Sequence, residues 1–278
     1  MVNIQHLDFG YPKKDRLFKE LSMDLQPGNI YGLLGQNGAG KTSLLKLISG
    51  LLYPNTGSCR VLNYKAHNRT PQMLAEIYIV PEEFQLPGIK IKEYARNNGA
   101  FYPNFDYKQF DEFMNEFKLE QTEKLTRLSY GQKKKVLLAF GLATNSKLLI
   151  LDEPTNALDI PSKSQFRRIL ASSITEDRIF IVSTHQVRDM ENLIDPIIIL
   201  EEGQIIFQES MEEISTKLAF RVVQNGDNAG DILYTEDLMH GKAGILKNKG
   251  EEETQVNMEL LFNGIIHKGN EINNVFKQ

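Results

Sequence analysis

"GQNGAGKT", Gly35–Thr42, satisfies G-x-x-x-x-G-K-[ST] at all four fixed positions. The apolar run "NIYGLL" precedes it, and "KTSLLKLISGLL", with apolar residues at helical spacing, follows it. Strand, glycine loop and helix together form the setting in which this motif cradles phosphates. Glycines let the chain curl so that successive backbone amides face one anion. Gly35, Asn37, Gly38, Ala39 and Gly40 are the candidate backbone contacts, with Ser43 just beyond them. Lys41 is expected to reach the β- and γ-phosphates, and Thr42 to offer its hydroxyl to Mg²⁺. A ligand-free glycine turn is the plain alternative, and the four matched positions in this setting weigh against it.

Working outward, "VNIQHLDFGY" has β character, and "LFKELSMDLQPGNIYGLLG" reads as two strands around a Pro27–Gly28 turn. The helix after the phosphate loop closes at Gly50 and Pro54. "AEIYIVPEE" is a further strand. From about residue 89 to 146 the pattern is helical, with "YKQFDEFMNEFKL" and "QKKKVLLAFGLA" and no strong strand between them. Strands return with "KLLILDEP", "RIFIVSTH", "PIIILEEG" and "QIIFQES", alternating with helices such as "KSQFRRILASSI". This predicts an α/β fold with a mostly parallel sheet and a helical insertion. After about Ser215, "FRVVQ", "DILYTED", "KAGILKN" and "TQVNMELLFNGII" lie between Asn/Gly/Asp-rich turns, which predicts a small strand-rich C-terminal appendage. The expected division is 1–214 and 215–278.

The 278 residues are ample for a buried core, and 41% apolar with 24% charged residues is a globular composition. A net charge of −4 argues against a dedicated nucleic-acid binder, although Lys133–Lys135 form a local basic cluster. A single cysteine, Cys59, excludes an internal disulfide framework and fits a reducing compartment. The N-terminal stretch has no signal-peptide pattern, and the longest apolar runs are far short of the ~20 residues that span a bilayer.

Two acidic residues, Asp152 and Glu153, end the strand "KLLILDEP". Ligands of parallel α/β sheets gather at the carboxyl ends of the strands. Asp152 there is a candidate Mg²⁺ ligand, directly or through water. Glu153 is a candidate base for an attacking water. His185 ends the strand "IFIVSTH" on the same side, within reach of a γ-phosphate. In "LTRLSYGQKKK", Leu125–Lys135, Ser129 and Gln132 form an S-x-x-Q capping box. A helix N-terminus of this kind has free amides and a positive dipole, so it is also an anion site.

In this order, "GQNGAGKT", "LSYGQ", "LLILDE", "NALD" (Asn156–Asp159) and "STH", the sequence resembles the nucleotide-binding subunits of ABC transporters over about residues 1–210. The resemblance implies ATP and Mg²⁺ as ligands, with Tyr11 of "FGYPKK" stacking on adenine. It implies a second ATPase subunit, identical or closely related, bound head to tail. Ser129, Gly131 and Gln132 then contact the γ-phosphate of the partner's ATP. It also implies a separate transmembrane permease, and a peripheral location on the cytoplasmic face of the membrane.

Two positions depart from the family pattern. Tyr130 stands where the signature usually has glycine, and is expected to change how closely the partner's nucleotide approaches. Glu82 stands where a glutamine usually follows the "IYIVP" strand, and Gln85 is three positions late. Glu82 is a candidate to coordinate Mg²⁺ or orient water, at the expense of added negative charge near the γ-phosphate. This glutamate and "FYPNFD" look more like exporters than importers. The expected function is therefore ATP hydrolysis that drives an exporter. The alternatives are an ABC-type ATPase acting on ribosomes or DNA, and a nucleotide-dependent regulatory module. Against them stand the single ATPase unit with no long coiled coil, and the presence of both Asp152 and Glu153.

Overall fold

The computed structural model describes residues 1–224, 226–248, 250 and 252–277. β1 (Val2–Gly10) and β2 (Arg16–Leu25) form a hairpin, and β3 (Asn29–Leu34) leads through the phosphate loop into α1 (Lys41–Ile48). β4 (Thr56–Val61), β5 (Tyr64–Lys65), α2 (Pro71–Leu74) and β6 (Ile77–Val80) follow. The insertion consists of α3 (Ile91–Gly99), α4 (Tyr107–Glu116) and α5 (Tyr130–Ala143). Next come β7 (Leu148–Asp152), α6 (Ile160–Ser173), β8 (Ile179–Thr184), β9 (Ile197–Glu201) and β10 (Gln204–Glu209). The C-terminal part holds α7 (Met211–Lys217), β11 (Leu218–Val222), β12 (Ile232–Leu238), β13 (Gly241–Lys247) and α8 (Met258–Phe276).

The central sheet has the order β10-β9-β3-β8-β7-β6, with β10 its one antiparallel member. Both of its faces are covered, which is why β7 and β8 read as unbroken apolar runs rather than as alternation. The pleat sends neighbouring residues to opposite sides. Leu148 and Ile150 join α1 and the strands of an antiparallel sheet ordered β2-β1-β4-β5. Leu149 and Leu151 join the insertion and α6 on the other face. Sequence alone anticipates the β character of the first strands but not that they form a sheet of their own.

The strand order places β8 between β3 and β7. Leu34 is in register with Thr184, and Asp152 with Ser183. The phosphate loop, Asp152–Glu153 and His185 therefore leave the sheet side by side.

A C-terminal antiparallel sheet, β11-β13-β12, confirms the strand-rich expectation for residues 218–247. The stretch "TQVNMELLFNGII" is a departure, since most of it lies in the first half of α8. Asn257 caps this helix by accepting from the Leu260 N–H at 3.0 Å. Met258, Leu261 and Ile265 bury one helical face. Gly264 lies inside the helix: a Cβ there would sit 2.6 Å from Ile245 Cδ1, so glycine permits close packing on β13. Ile245, Leu261 and Ile265 belong to the same core as Leu149 and Ile197. Among the described residues no helix is long and apolar enough to cross a membrane.

Candidate functional site

The phosphate loop holds an unusual backbone. Gly40, the N-cap of α1, has φ 108°, and a Cβ there would lie 2.9 Å from the Phe18 ring. Only glycine meets both demands. The buried Lys41 turns back over the loop, where Nζ donates to the carbonyls of Gly35 (2.8 Å) and Gln36 (3.1 Å). It also lies 4.0 Å from Glu153 Oε1. Burial draws the Lys41 pKa below its ordinary value, while Glu153 and Asp152 oppose that shift.

Thr42 donates to Asp152 Oδ2 at 2.8 Å, and Ser183 donates to Asp152 Oδ1. Glu153 adopts a left-handed φ of 45°, which costs on the order of 1–3 kcal/mol for a non-glycine residue. Its N–H donates to both the carbonyl and the hydroxyl of Ser183, each at 3.2 Å, which holds that conformation in place. Glu153 Oε1 meets the ring of His185 at 2.8 Å, whereas the buried Oε2 has no partner. Burial pushes the Glu153 carboxyl above the usual range, and His185 and Lys41 oppose this. A carboxylate raised in this way is a stronger base.

One cavity of about 780 Å³ gathers Tyr11, Asn37, Gly38, Gly40, Lys41, Thr42, Ser43, Glu82, Glu153 and His185. Tyr11 is 37% exposed, its hydroxyl 2.9 Å from Ser43 Oγ and its ring edge-on to Phe9. An aromatic face is thus available beside the helix that starts at Lys41. Gly35 and Ala39 do not line this cavity; Asp152 lies behind Thr42.

Ser129, Gly131 and Gln132 also lie outside it. The capping box forms as expected: Gln132 N–H donates to Ser129 Oγ (3.2 Å), and Ser129 N–H to Gln132 Oε1 (2.9 Å). A Cβ on Gly131 would come 2.5 Å from the Ala157 carbonyl, so this glycine lets α5 close on the loop after Glu153. Tyr130 points at its own chain. Its hydroxyl donates to the Glu82 carbonyl, and its ring stacks on Phe84 at 4.8 Å. Glu82 Oε1 in turn accepts from Asn156 Nδ2 at 3.2 Å.

Sequence reasoning missed Ser183 and Lys134. Ser183 carried a signal, as one of two hydroxyl residues ending an otherwise apolar strand. Lys134 sits in the basic cluster Lys133–Lys135, whose sequence shows charge but not burial. It is fully buried, and Nζ donates to the carbonyls of Pro81 (3.0 Å) and Asp152 (3.2 Å). Burial lowers its pKa to about 8.

Residues 18–156 match the family described as ABC transporter. An ABC transporter ATP-binding protein of Methanocaldococcus jannaschii is 30% identical over 89% of this chain and 92% of its own length. A Nod factor export ATP-binding protein of Burkholderia thailandensis is 31% identical over 74% of this chain and 71% of its own. A dimeric structure of a post-hydrolysis state of an ATP-binding cassette bound to ADP and Pi superposes with a TM-score of 0.66 at 23% identity, covering 76% of this chain and 99% of that one. With a phosphate loop, the Glu153 carboxyl and a histidine converging on one cavity, the chain belongs to the ABC transporter family, as an ATP-binding subunit that hydrolyses ATP.

Proposed function

We propose that two copies of this chain, or one copy and a close homologue, bind head to tail around two ATP·Mg²⁺. Closing and reopening of the pair drives a separate membrane permease, in the direction of export, from the cytoplasmic face. Residues 1–214, with the insertion at about 89–146, form the ATPase unit, and 215–278 an accessory segment. The observation that carries the reading is the split site. Lys41, Thr42, Glu153 and His185 meet at one cavity, while the capped helix end at Ser129 lies outside it. A helix end with anion-binding character, set apart from the phosphate cavity of its own chain, fits a nucleotide held by the partner. The export direction is supported by the Nod factor export relative and by Glu82 at the cavity wall.

Each residue then has a distinct role. Lys41 exchanges its two loop carbonyls for the β- and γ-phosphates. Tyr11 stacks on the adenine. Glu153 takes a proton from the attacking water, and His185, hydrogen-bonded to it, faces the γ-phosphate. The donor set suits Mg²⁺: the hard oxygens of Thr42 and Asp152 lie 2.8 Å apart, and Glu153 Oε2 is buried without a partner. Thr42 and Asp152 would hold the ion, and water or phosphate oxygens would supply its remaining ligands. Mg²⁺, when bound, neutralises charge on the phosphate oxygens. Glu82, at the cavity wall, is in place to join that shell or orient the water.

Cross-linking tests the split site. Cysteines at Ala39 and Ser129 are introduced with Cys59→Ser and Glu153→Gln, so that ATP persists. A disulfide requires Cα atoms within roughly 7 Å. The expected result is an ATP-dependent, reducible band at twice 31.7 kDa, which also forms when chains carrying one cysteine each are mixed. Cross-links only within single chains would overturn the head-to-tail arrangement.

A further inference from the structure

A second cavity, of about 240 Å³, adjoins the first, and Asn37 and His185 line both. Its remaining walls are Gly35, Gln36, Thr184, Val187 and Phe262. Phe262 comes from α8, so a side chain of the C-terminal segment shares the wall of this space with Asn37 and His185 of the nucleotide cavity. The same helix makes a polar contact one turn earlier, where Glu259 pairs with Arg188. Arg188 belongs to the single 3-10 turn Val187–Asp189 that follows His185. α6 holds this turn from another side: Lys163 Nζ meets Asp189 Oδ2 at 2.6 Å, and Arg167 donates to the Asp189 carbonyl at 3.0 Å.

His185 itself has one fixed partner, Glu153, and its side chain is 34% exposed. Its placement thus depends on what supports the backbone on either side of it. Before it, β8 is locked into the sheet. After it, Val187 packs into the core and the turn is tied to α6 and α8. Phe262 is half-buried, and removing its ring would enlarge the cavity that Thr184, His185 and Val187 line. Such a loss is felt as displacement, because packed interiors relax into voids only partly.

We propose that Phe262 is a positioning residue for ATP hydrolysis. From α8 it supports the strand end that carries His185, which makes turnover depend on the C-terminal segment. This rests on the reading of His185 as a γ-phosphate contact. The surface pair Glu259–Arg188 is a secondary support, since exposed ion pairs contribute little.

The test uses the full chain and measures turnover, ATP KM, equilibrium ATP affinity and melting temperature. Phe262→Ala is expected to lower kcat about tenfold, within the ~10²-fold that a 1 Å misplacement can cause. KM and ATP affinity should stay within about twofold, because the phosphate contacts of Lys41 remain. Phe262→Leu, which refills most of the space, should recover at least half of the lost rate. His185→Ala serves as the control for the underlying reading. Wild-type turnover in His185→Ala would overturn the role of His185 and this proposal with it. A slow His185→Ala beside a Phe262→Ala within twofold of wild type would overturn the proposal alone. So would a Phe262→Ala that loses ATP affinity and kcat together with no recovery in Phe262→Leu, because that pattern is structural only.

Discussion

Glu153 Oε1 accepts two hydrogen bonds from His185, one from the backbone N–H at 3.1 Å and one from ring Nδ1 at 2.8 Å. With Glu153 ionised the carboxylate only accepts, and this pairing then requires the ring proton on Nδ1. The two residues come from neighbouring strands, and Ser183 joins them by binding both Asp152 and the Glu153 backbone. The acid, the histidine and the serine form one rigid group at the end of the sheet.

Replacing Glu153 by glutamine keeps the shape and an acceptor for the His185 N–H but removes the proposed base. Turnover is expected to fall by ~10²–10⁴, the usual range for a general base. ATP binding should survive, because Lys41, Thr42 and Asp152 are untouched. Single-turnover hydrolysis beside equilibrium binding checks this; near-wild-type hydrolysis would move the base elsewhere, with Glu82 the first alternative.

Lys41→Ala removes the cation that lies 4.0 Å from Glu153 and covers the loop carbonyls. Both turnover and ATP binding should be lost. Titration with a fluorescent ATP analogue measures the second effect, and wild-type affinity would contradict the assignment.

Tyr130→Gly restores the residue usual at this position but loses the Phe84 stack and the bond to the Glu82 carbonyl. An aromatic pair contributes about 0.5–1.5 kcal/mol beyond its buried area, so denaturant unfolding should show a loss of about 1 kcal/mol or more. Tyr130→Phe keeps the stack and should recover most of it. Equal stability of all three proteins would show that the stack holds nothing.

Cys59 is 2% exposed, and burial pushes its thiol from 9.0 up to about 12. Iodoacetamide at pH 8 should leave it unmodified in the native protein and alkylate it fully in denaturant. The linkage has a definite sign. Between pH 9 and about 12 the unfolded thiol releases its proton and the folded one keeps it, so this residue's stability contribution is lost as pH rises through that window. Cys59→Ala should flatten the decline, as followed by melting temperature against pH.

Cutting the chain after Ser215 leaves every nucleotide motif intact, yet it removes Leu261 and Ile265 from a core shared with Ile197. It also removes the Phe207–Phe276 contact at 5.4 Å and the Asn273 bond to the Ile206 carbonyl at 2.9 Å. Truncation should therefore lower melting temperature sharply or abolish soluble expression. A truncated protein that melts as the full chain does would show that the shared core contributes nothing.

What the sequence determined by itself was local. The phosphate loop lies within eight residues, Gly35–Thr42, and the capping box within four, Ser129–Gln132. Backbone conformation and hydrogen bonds over such spans depend on the residues themselves, so the motif and the cap are readable without a fold. The apolar runs of β7 and β8 announce a buried parallel sheet for the same reason. Tertiary structure decided what these pieces meet. Strand order brings Ser183 to Asp152 and His185 to Glu153, pairs separated by 31 and 32 residues. It turns Lys134 of the basic cluster into a buried anchor between Pro81 and Asp152. It also sets Phe262, in a stretch that the sequence reads as part of a strand-rich appendage, on a helix beside the phosphate loop. Such contacts depend on which faces pack together, and packing is a property of the whole chain that no short window contains.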